Sequence, residues 1–173
     1  MGAKFADWPS HYSFPPFFTL QPNKETQAKQ VTIWSKLIRD YSQATKELIV
    51  DRSHGIFSNA DIHRSLSPEG VDVVFDHMVR HHEAEYVDPA KKDSIYVWWQ
   101  SKEIWSKKMM DFAAKNGLLN GVATMYELLN DNSEFEGMNE EILLRILKSL
   151  ESTGKCEIMM GSSGVAEGVK FFM

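Results

Sequence analysis

Ser67-Pro68-Glu69-Gly70-Val71-Asp72-Val73-Val74-Phe75-Asp76-His77-Met78-Val79 decides how the chain is read. Serine is a favoured helix cap, proline suits the first helical position, and an acid belongs in the first turn. Val71, Val74, Phe75, Met78 and Val79 then give the i, i+3, i+4, i+7, i+8 stripe of a buried face. Moved 72 positions along the chain, Val71, Val74, Phe75 and Met78 fall on Leu143, Ile146, Leu147 and Leu150, behind a second cap at Asn139. With a shift one shorter, Trp34, Ile38 and Tyr41 fall on Trp105, Met109 and Phe112. The chain is therefore written twice.

Working outward, each copy has the same element order. In the first, a helix from Glu25 buries Val31, Trp34, Leu37, Ile38, Tyr41, Thr45 and Leu48, and Leu48-Ile49-Val50 continues as a short strand. Asn59 caps a short helix through Leu66, the Ser67 helix follows, and residues 85–88 and 94–99 pair as strands. In the second, the Trp105 helix stops at Gly117, a strand runs through Gly121–Leu128, and Glu127–Asn130 opens a short helix. The Asn139 helix ends at Gly154, and two strands close the copy: the Cys156/Ile158/Met160 alternation and residues 169–173. Helix, strand, short helix, helix and hairpin is the winged-helix order. The predicted fold is α+β: two tandem winged helices behind an extended proline/aromatic arm. The arm covers residues 1–22, the first unit 23–101 and the second 102–173.

Composition bounds the function. The chain has 173 residues with a net charge of −5, and 43% of them are hydrophobic. The helices that enter DNA in many winged helices carry basic faces. Here the first carries Glu69, Asp72 and Asp76 against Arg80, and the second carries Glu140, Glu141 and Glu151 against Arg145 and Lys148. From Glu103 onward there are 7 basic and 11 acidic residues. Direct nucleic-acid binding is therefore the alternative rather than the leading reading. The single cysteine, Cys156, excludes an internal disulfide framework and reads as a buried thiol. No apolar run of about 20 residues is present to span a membrane. The opening residues lack the core of a signal peptide, and Gly2 lacks the Ser or Thr that myristoylation favours where Ala6 stands. A cytoplasmic protein is expected.

Chemistry-bearing motifs are few. His77 and His81 lie one helical turn apart, but the local pattern offers no third ligand, so solvent-facing histidines and no metal are expected. His82 is placed nearer the apolar face. Gly161-Ser162-Ser163-Gly164 lacks the Lys-Ser/Thr of a phosphate loop and reads as a hairpin tip. Trp98 and Trp99 point to opposite sides of their strand, one into the core. No nucleophile has a base beside it and no acid/base pair is evident, so neither an enzyme nor a cofactor is expected.

The opening arm is the informative segment. Residues 1–22 hold four of the six prolines and six aromatics: Phe5, Trp8, Tyr12, Phe14, Phe17 and Phe18. Proline density predicts an extended, polyproline-like backbone that cannot bury six rings against itself. One reading is a strap over the chain's own apolar surface. The other is a stiff recognition segment whose rings fill a partner's pockets at small entropic cost.

Phe14-Pro15-Pro16-Phe17-Phe18-Thr19-Leu20-Gln21-Pro22, followed by Gln30 and the Trp34 helix, resembles the smallest subunit of ESCRT-II, the endosomal sorting complex. The resemblance extends through Tyr126-Glu127-Leu128 to Gly168-Val169-Lys170-Phe171-Phe172. It implies a non-catalytic adaptor, present in two copies, whose first winged helix binds two larger ESCRT-II subunits through motifs of the PPxY type. Pro15-Pro16-Phe17-Phe18 matches one motif, with Phe in place of Tyr. Trp8-Pro9-Ser10-His11-Tyr12 is a looser version of the other. Trp8, Pro9, Tyr12, Phe14, Pro15, Pro16, Phe17 and Phe18 are the implied contacts. The second winged helix is implied to hold the N-terminal helical segment of the ESCRT-III subunit that starts polymer assembly, by residues no short motif identifies. Recruitment to endosomes, with only indirect membrane contact, and sorting of ubiquitinated cargo into multivesicular bodies follow from the same resemblance.

Overall fold

Asn23 opens the longest helix. Its side-chain oxygen accepts hydrogen bonds from the backbone N–H groups of Glu25 (3.0 Å) and Thr26 (3.1 Å), which the helix itself leaves unpaired. Helix α1 runs Lys24–Thr45 and stops where Lys46 enters the left-handed region (φ 63°). The structure, a computed structural model, describes residues 5–130, 135–136 and 138–173; Gly2 lies outside them. After α1 come strand β1 (Ile49–Asp51) and a 3-10 turn, Gly55–Phe57. The two-residue strands β2 (Ser58–Asn59) and β3 (Arg64–Ser65) then bracket a second 3-10 turn, Ala60–Ile62. The hydroxyl of Ser67 accepts from Gly70 N–H (3.1 Å) at the start of α2 (Pro68–Arg80). Strands β4 (Ala84–Tyr86) and β5 (Ser94–Val97) form an antiparallel hairpin, and β1 pairs with the free side of β5, giving the order β1-β5-β4.

The second unit repeats this plan. Ser101 caps α3 (Lys102–Lys115), and β6 (Val122–Thr124) leads directly into α4 (Met125–Asn130). A reciprocal capping box marks that junction: Glu127 N–H donates to Thr124 Oγ1 (3.1 Å) and Thr124 N–H donates to Glu127 Oε2 (2.8 Å). Asn139 caps α5 (Glu140–Ser152), which is α2 shifted by 72 positions at both ends. Strands β7 (Cys156–Met160) and β8 (Ala166–Phe171) close a sheet of order β6-β8-β7, the same topology as in the first unit. The compact units are Met1–Trp99 and Gln100–Met173. Trp34, Ile38, Phe75, Met78 and Ile95 are fully buried in the first; Met109, Leu128, Ile142, Leu143, Leu147 and Phe171 are in the second.

Several expectations are corrected. The helix expected from Asn59 to Leu66 is only a 3-10 turn, because His63 takes a left-handed conformation (φ 52°) and ends it. The strand expected through Leu128 stops at Thr124, where the capping box starts α4. His82 is exposed at φ 58° rather than packed on the apolar face. The arm is not extended either: Ser10–Ser13 and Pro15–Phe18 are two 3-10 turns. Proline fixes φ near the 3-10 value, and the first positions of such a turn need no donor, so Pro15 and Pro16 start the turn instead of preventing it.

Candidate partner-binding surface

Four of the six arm rings belong to the protein's own core. Phe17 is 4% exposed and Phe18 3%, and Phe5 and Tyr12 are buried with them. Phe17 stacks flat on Trp34 of α1, with centroids 4.3 Å apart and planes at 6°, while Phe18 meets the same indole edge-on at 5.4 Å. Tyr12 packs edge-on against Phe18 and carries Trp8 stacked on its other face at 4.2 Å. For these four rings the arm is the strap over the chain's own apolar surface, not the set of free plugs. Tyr12, Phe17 and Phe18 face inward, so the free chain does not present them to a partner.

Polar groups fasten the arm as firmly as rings do. Phe17 O accepts from Trp34 Nε1 (3.0 Å) and from Gln30 Nε2 (2.9 Å). The same Gln30 amide donates to Thr19 O (2.8 Å), and its oxygen accepts from Gln21 N–H (3.1 Å). The Tyr12 hydroxyl lies 3.0 Å from Ile56 O and 2.8 Å from Ser58 O, and Asn59 Nδ2 donates to Tyr12 O (2.7 Å). Burial pushes the Tyr12 phenol up to about 12, so it stays a neutral donor at neutral pH. Each arm turn is thus tied to α1 or to the segment before α2.

What faces outward is a narrower set. Phe14, between the two turns, is 56% exposed, and Trp8 is 39% exposed. Pro15 and Pro16 are exposed and Pro9 is half-buried. Phe14, Pro16, His11 and Phe17 form one wall of a cleft of about 200 Å³, and Thr26, Lys29, Gln30 and Ile33 of α1 form the other. Reading the sequence missed His11, Lys29 and Ile33. Ile33 carried a signal: it is a large aliphatic residue off the Val31/Trp34/Ile38 stripe, on a side of α1 otherwise lined by Thr26 and Lys29. The outward side of α2 is acidic, with Asp72 paired to Arg52 (2.9 Å) and Asp76 accepting from the Tyr86 hydroxyl. Such a surface is a poor match for phosphate.

Two winged helices with non-basic recognition faces, preceded by a docked arm that leaves Phe14 and two prolines standing, define a protein-interaction module rather than a nucleic-acid reader. The ESCRT-II complex subunit family matches residues 11–142. The vacuolar protein-sorting-associated protein 25 of zebrafish is 38% identical over 174 residues, covering 96% of this chain and 98% of its own length. The human protein of that name is 35% identical, covering 96% and 97%, and the Arabidopsis one is 35% identical, covering 97% and 98%. A crystal structure of subunit VPS25 of ESCRT-II superposes with a TM-score of 0.89 at 26% identity, covering 96% of this chain and 99% of that one. A crystal structure of ESCRT-II (VPS22/VPS25/VPS36) contains a chain with a TM-score of 0.83 at 26% identity, covering 94% and 98%. The chain belongs to the Vps25 family of ESCRT-II subunits and is a non-enzymatic component of endosomal sorting. The nucleic-acid alternative is not favoured. No helix among the described residues is long and apolar enough to cross a membrane.

Proposed function

We propose that this chain is the adaptor of its ESCRT-II complex, joining the two larger subunits to the ESCRT-III subunit that starts polymer assembly. The first unit, residues 23–101 with the arm 1–22, docks on the larger subunits through Trp8, Pro9, His11, Phe14, Pro15 and Pro16. Tyr12, Phe17 and Phe18 contribute by holding that surface in shape. The carrying observation is Phe14: a large aromatic, 56% exposed, on a backbone already fixed by buried neighbours. Ordering it on a partner costs little, the condition for an interface anchor. The Phe14→Ala chain, mixed with the two larger subunits, keeps its melting temperature and loses affinity by about thirtyfold or more, the scale of a hot-spot residue. Unchanged co-purification of Phe14→Ala would falsify this assignment.

The second unit, residues 102–173, is the ESCRT-III side of the proposal. The outer face of its sheet supports that role. Thr124, Gly168 and Met159 lie opposite one another across β6, β8 and β7, as do Val122, Lys170 and Glu157. Val122 and Met159 are both exposed on this face, with Lys170 and Glu157 beside them. One side of an amphipathic helix fits such a face. Two copies per complex, a cytoplasmic pool and recruitment to endosomes through the assembled complex complete the proposal.

A further inference from the structure

The first arm turn is tied to a short stretch whose own shape is set by a histidine. The backbone N–H of Ile56 donates to His54 Nδ1 (3.0 Å), so His54 caps the 3-10 turn Gly55–Phe57 and its Nδ1 carries a lone pair. The proton of the neutral ring therefore sits on Nε2, which lies 3.3 Å from Glu47 Oε2. The His54 side chain is 17% exposed, and Ile56 and Phe57 are buried in the first core. Ile56 O in turn accepts from the Tyr12 hydroxyl (3.0 Å), and Tyr12 carries Trp8 stacked on it at 4.2 Å. A second line of contacts leads to the same place. The Glu47 oxygen that faces His54 also accepts from the Tyr41 hydroxyl (2.7 Å), and Phe5 and Trp8 pack on the Tyr41 ring at 5.5 and 6.2 Å.

We propose that His54 is a proton-operated latch on the partner-binding arm: the neutral ring holds the first arm turn in its docking shape, and the protonated ring loosens it. Histidine is the side chain that ordinarily changes charge between about pH 5 and 8. Protonation puts a hydrogen on Nδ1, directly facing the Ile56 N–H. Two donors then oppose each other, and a part-buried N–H loses its acceptor. The cation still has a partner, because Glu47 faces Nε2; the oxygen it draws is the one that Tyr41 donates to. The other ionisable neighbours are engaged or neutral. Asp51 accepts from Ser53 N–H (2.8 Å) and Oγ (2.7 Å), and Arg52 pairs with Asp72 (2.9 Å). Burial first, then the bond to Glu47, pushes the Tyr41 phenol up to about 12. The second arm turn is fastened to Trp34 and Gln30 instead, so it stays in place. The consequence for partners rests on the docking role proposed for Trp8 and Pro9: their turn is the one that loosens, so affinity for the larger subunits falls in acid.

Amide hydrogen exchange of the full chain, read by NMR as protection factors at about pH 7.5 and about pH 5.5, tests the latch without any partner. In acid the Ile56 N–H and the Tyr12 N–H, which closes the first arm turn on Pro9 O (2.9 Å), lose protection about tenfold or more, the scale of a buried donor left unpaired. Trp34 Nε1–H, held by Phe17 O, keeps its protection and controls for general weakening. His54→Asn supplies a cap that does not titrate, so both protection factors stay constant over the same range. His54→Ala shows the acid values at both pH values. Equal acid loss in the unaltered chain and in His54→Asn, or no acid loss in the unaltered chain, overturns the latch. Affinity for the two larger subunits, measured at the same two pH values, falls about tenfold in acid for the unaltered chain and holds for His54→Asn. A loosened arm with unchanged affinity overturns the link to docking. An unaltered chain that binds neither subunit at the higher pH defeats the docking role itself, while the exchange data still decide whether the latch exists.

Discussion

Tyr12 shows how one side chain can be read as either plug or anchor. Its ring sits between Trp8 and Phe18, and its hydroxyl reaches two backbone oxygens on the segment before α2, Ile56 O and Ser58 O. A partner pocket offers no better satisfaction for that hydroxyl than the chain already provides. Burial raises its pKa from 10.0 to about 12, and Tyr41 is raised to about 12 by burial first and then by its bond to Glu47. The unfolded chain therefore releases protons above pH 10 that the native chain keeps until about pH 12. The stability these two phenols contribute is intact below pH 10 and is lost as pH climbs from 10 through 12. Denaturation midpoints measured from pH 8 to 12 trace this fall. Tyr12→Phe starts lower by about 1–3 kcal/mol, the cost of leaving buried carbonyls unpaired, and shows a shallower alkaline decline. An unchanged alkaline slope in Tyr12→Phe counts against the buried-phenol account.

At the scale of the element, the arm and α1 act as one piece. Phe17 is clamped by Trp34 on its ring and by Trp34 and Gln30 on its carbonyl. Phe17→Ala therefore removes a core ring and opens a cavity, costing about 3–5 kcal/mol. Urea unfolding would show this as a lower midpoint with the slope m unchanged. A wild-type midpoint contradicts the packing described here. Partner binding that fails in this variant reports a loosened arm, so Phe14→Ala is the cleaner probe of docking. The long helices were legible because their signals are local: Ser67-Pro68 and Asn139 fix the first turns of α2 and α5, and Ile142/Leu143/Ile146/Leu147 fix the inner side. The arm was not, because proline content limits φ without choosing between an extended chain and a 3-10 turn. What chose was the nonlocal surface of α1, with Trp34 ready to stack. The candidate surface was half legible for the same reason: the FPPFF string marked the place, but which of its rings turn outward depends on contacts with residues 13 to 17 positions away.

Across the whole molecule, one plan is used twice on different cores. Each unit closes its own three-stranded sheet, pairing β1 and β4 on β5 in one case and β6 and β7 on β8 in the other. Each has its own fully buried apolar set, with Phe75 and Ile95 matched by Leu147 and Val169. The first set also takes in Phe5, Tyr12, Phe17 and Phe18 from the arm, so the first unit has more apolar surface to bury. Residues 100–173 lack such a supplement and sit near the size, about 70–80 residues, at which one core barely outweighs chain entropy. Expressed separately, residues 1–99 fold with a cooperative urea transition at higher denaturant. Residues 100–173 fold too, with a lower midpoint and a smaller slope, since the slope scales with the surface exposed. Trp105 is the second fragment's single tryptophan and is buried, so its emission shifts to the red on unfolding. A red-shifted, featureless emission from residues 100–173 in water, with no transition on adding urea, means that the second core does not close by itself and that the repeat is one of plan but not of autonomy.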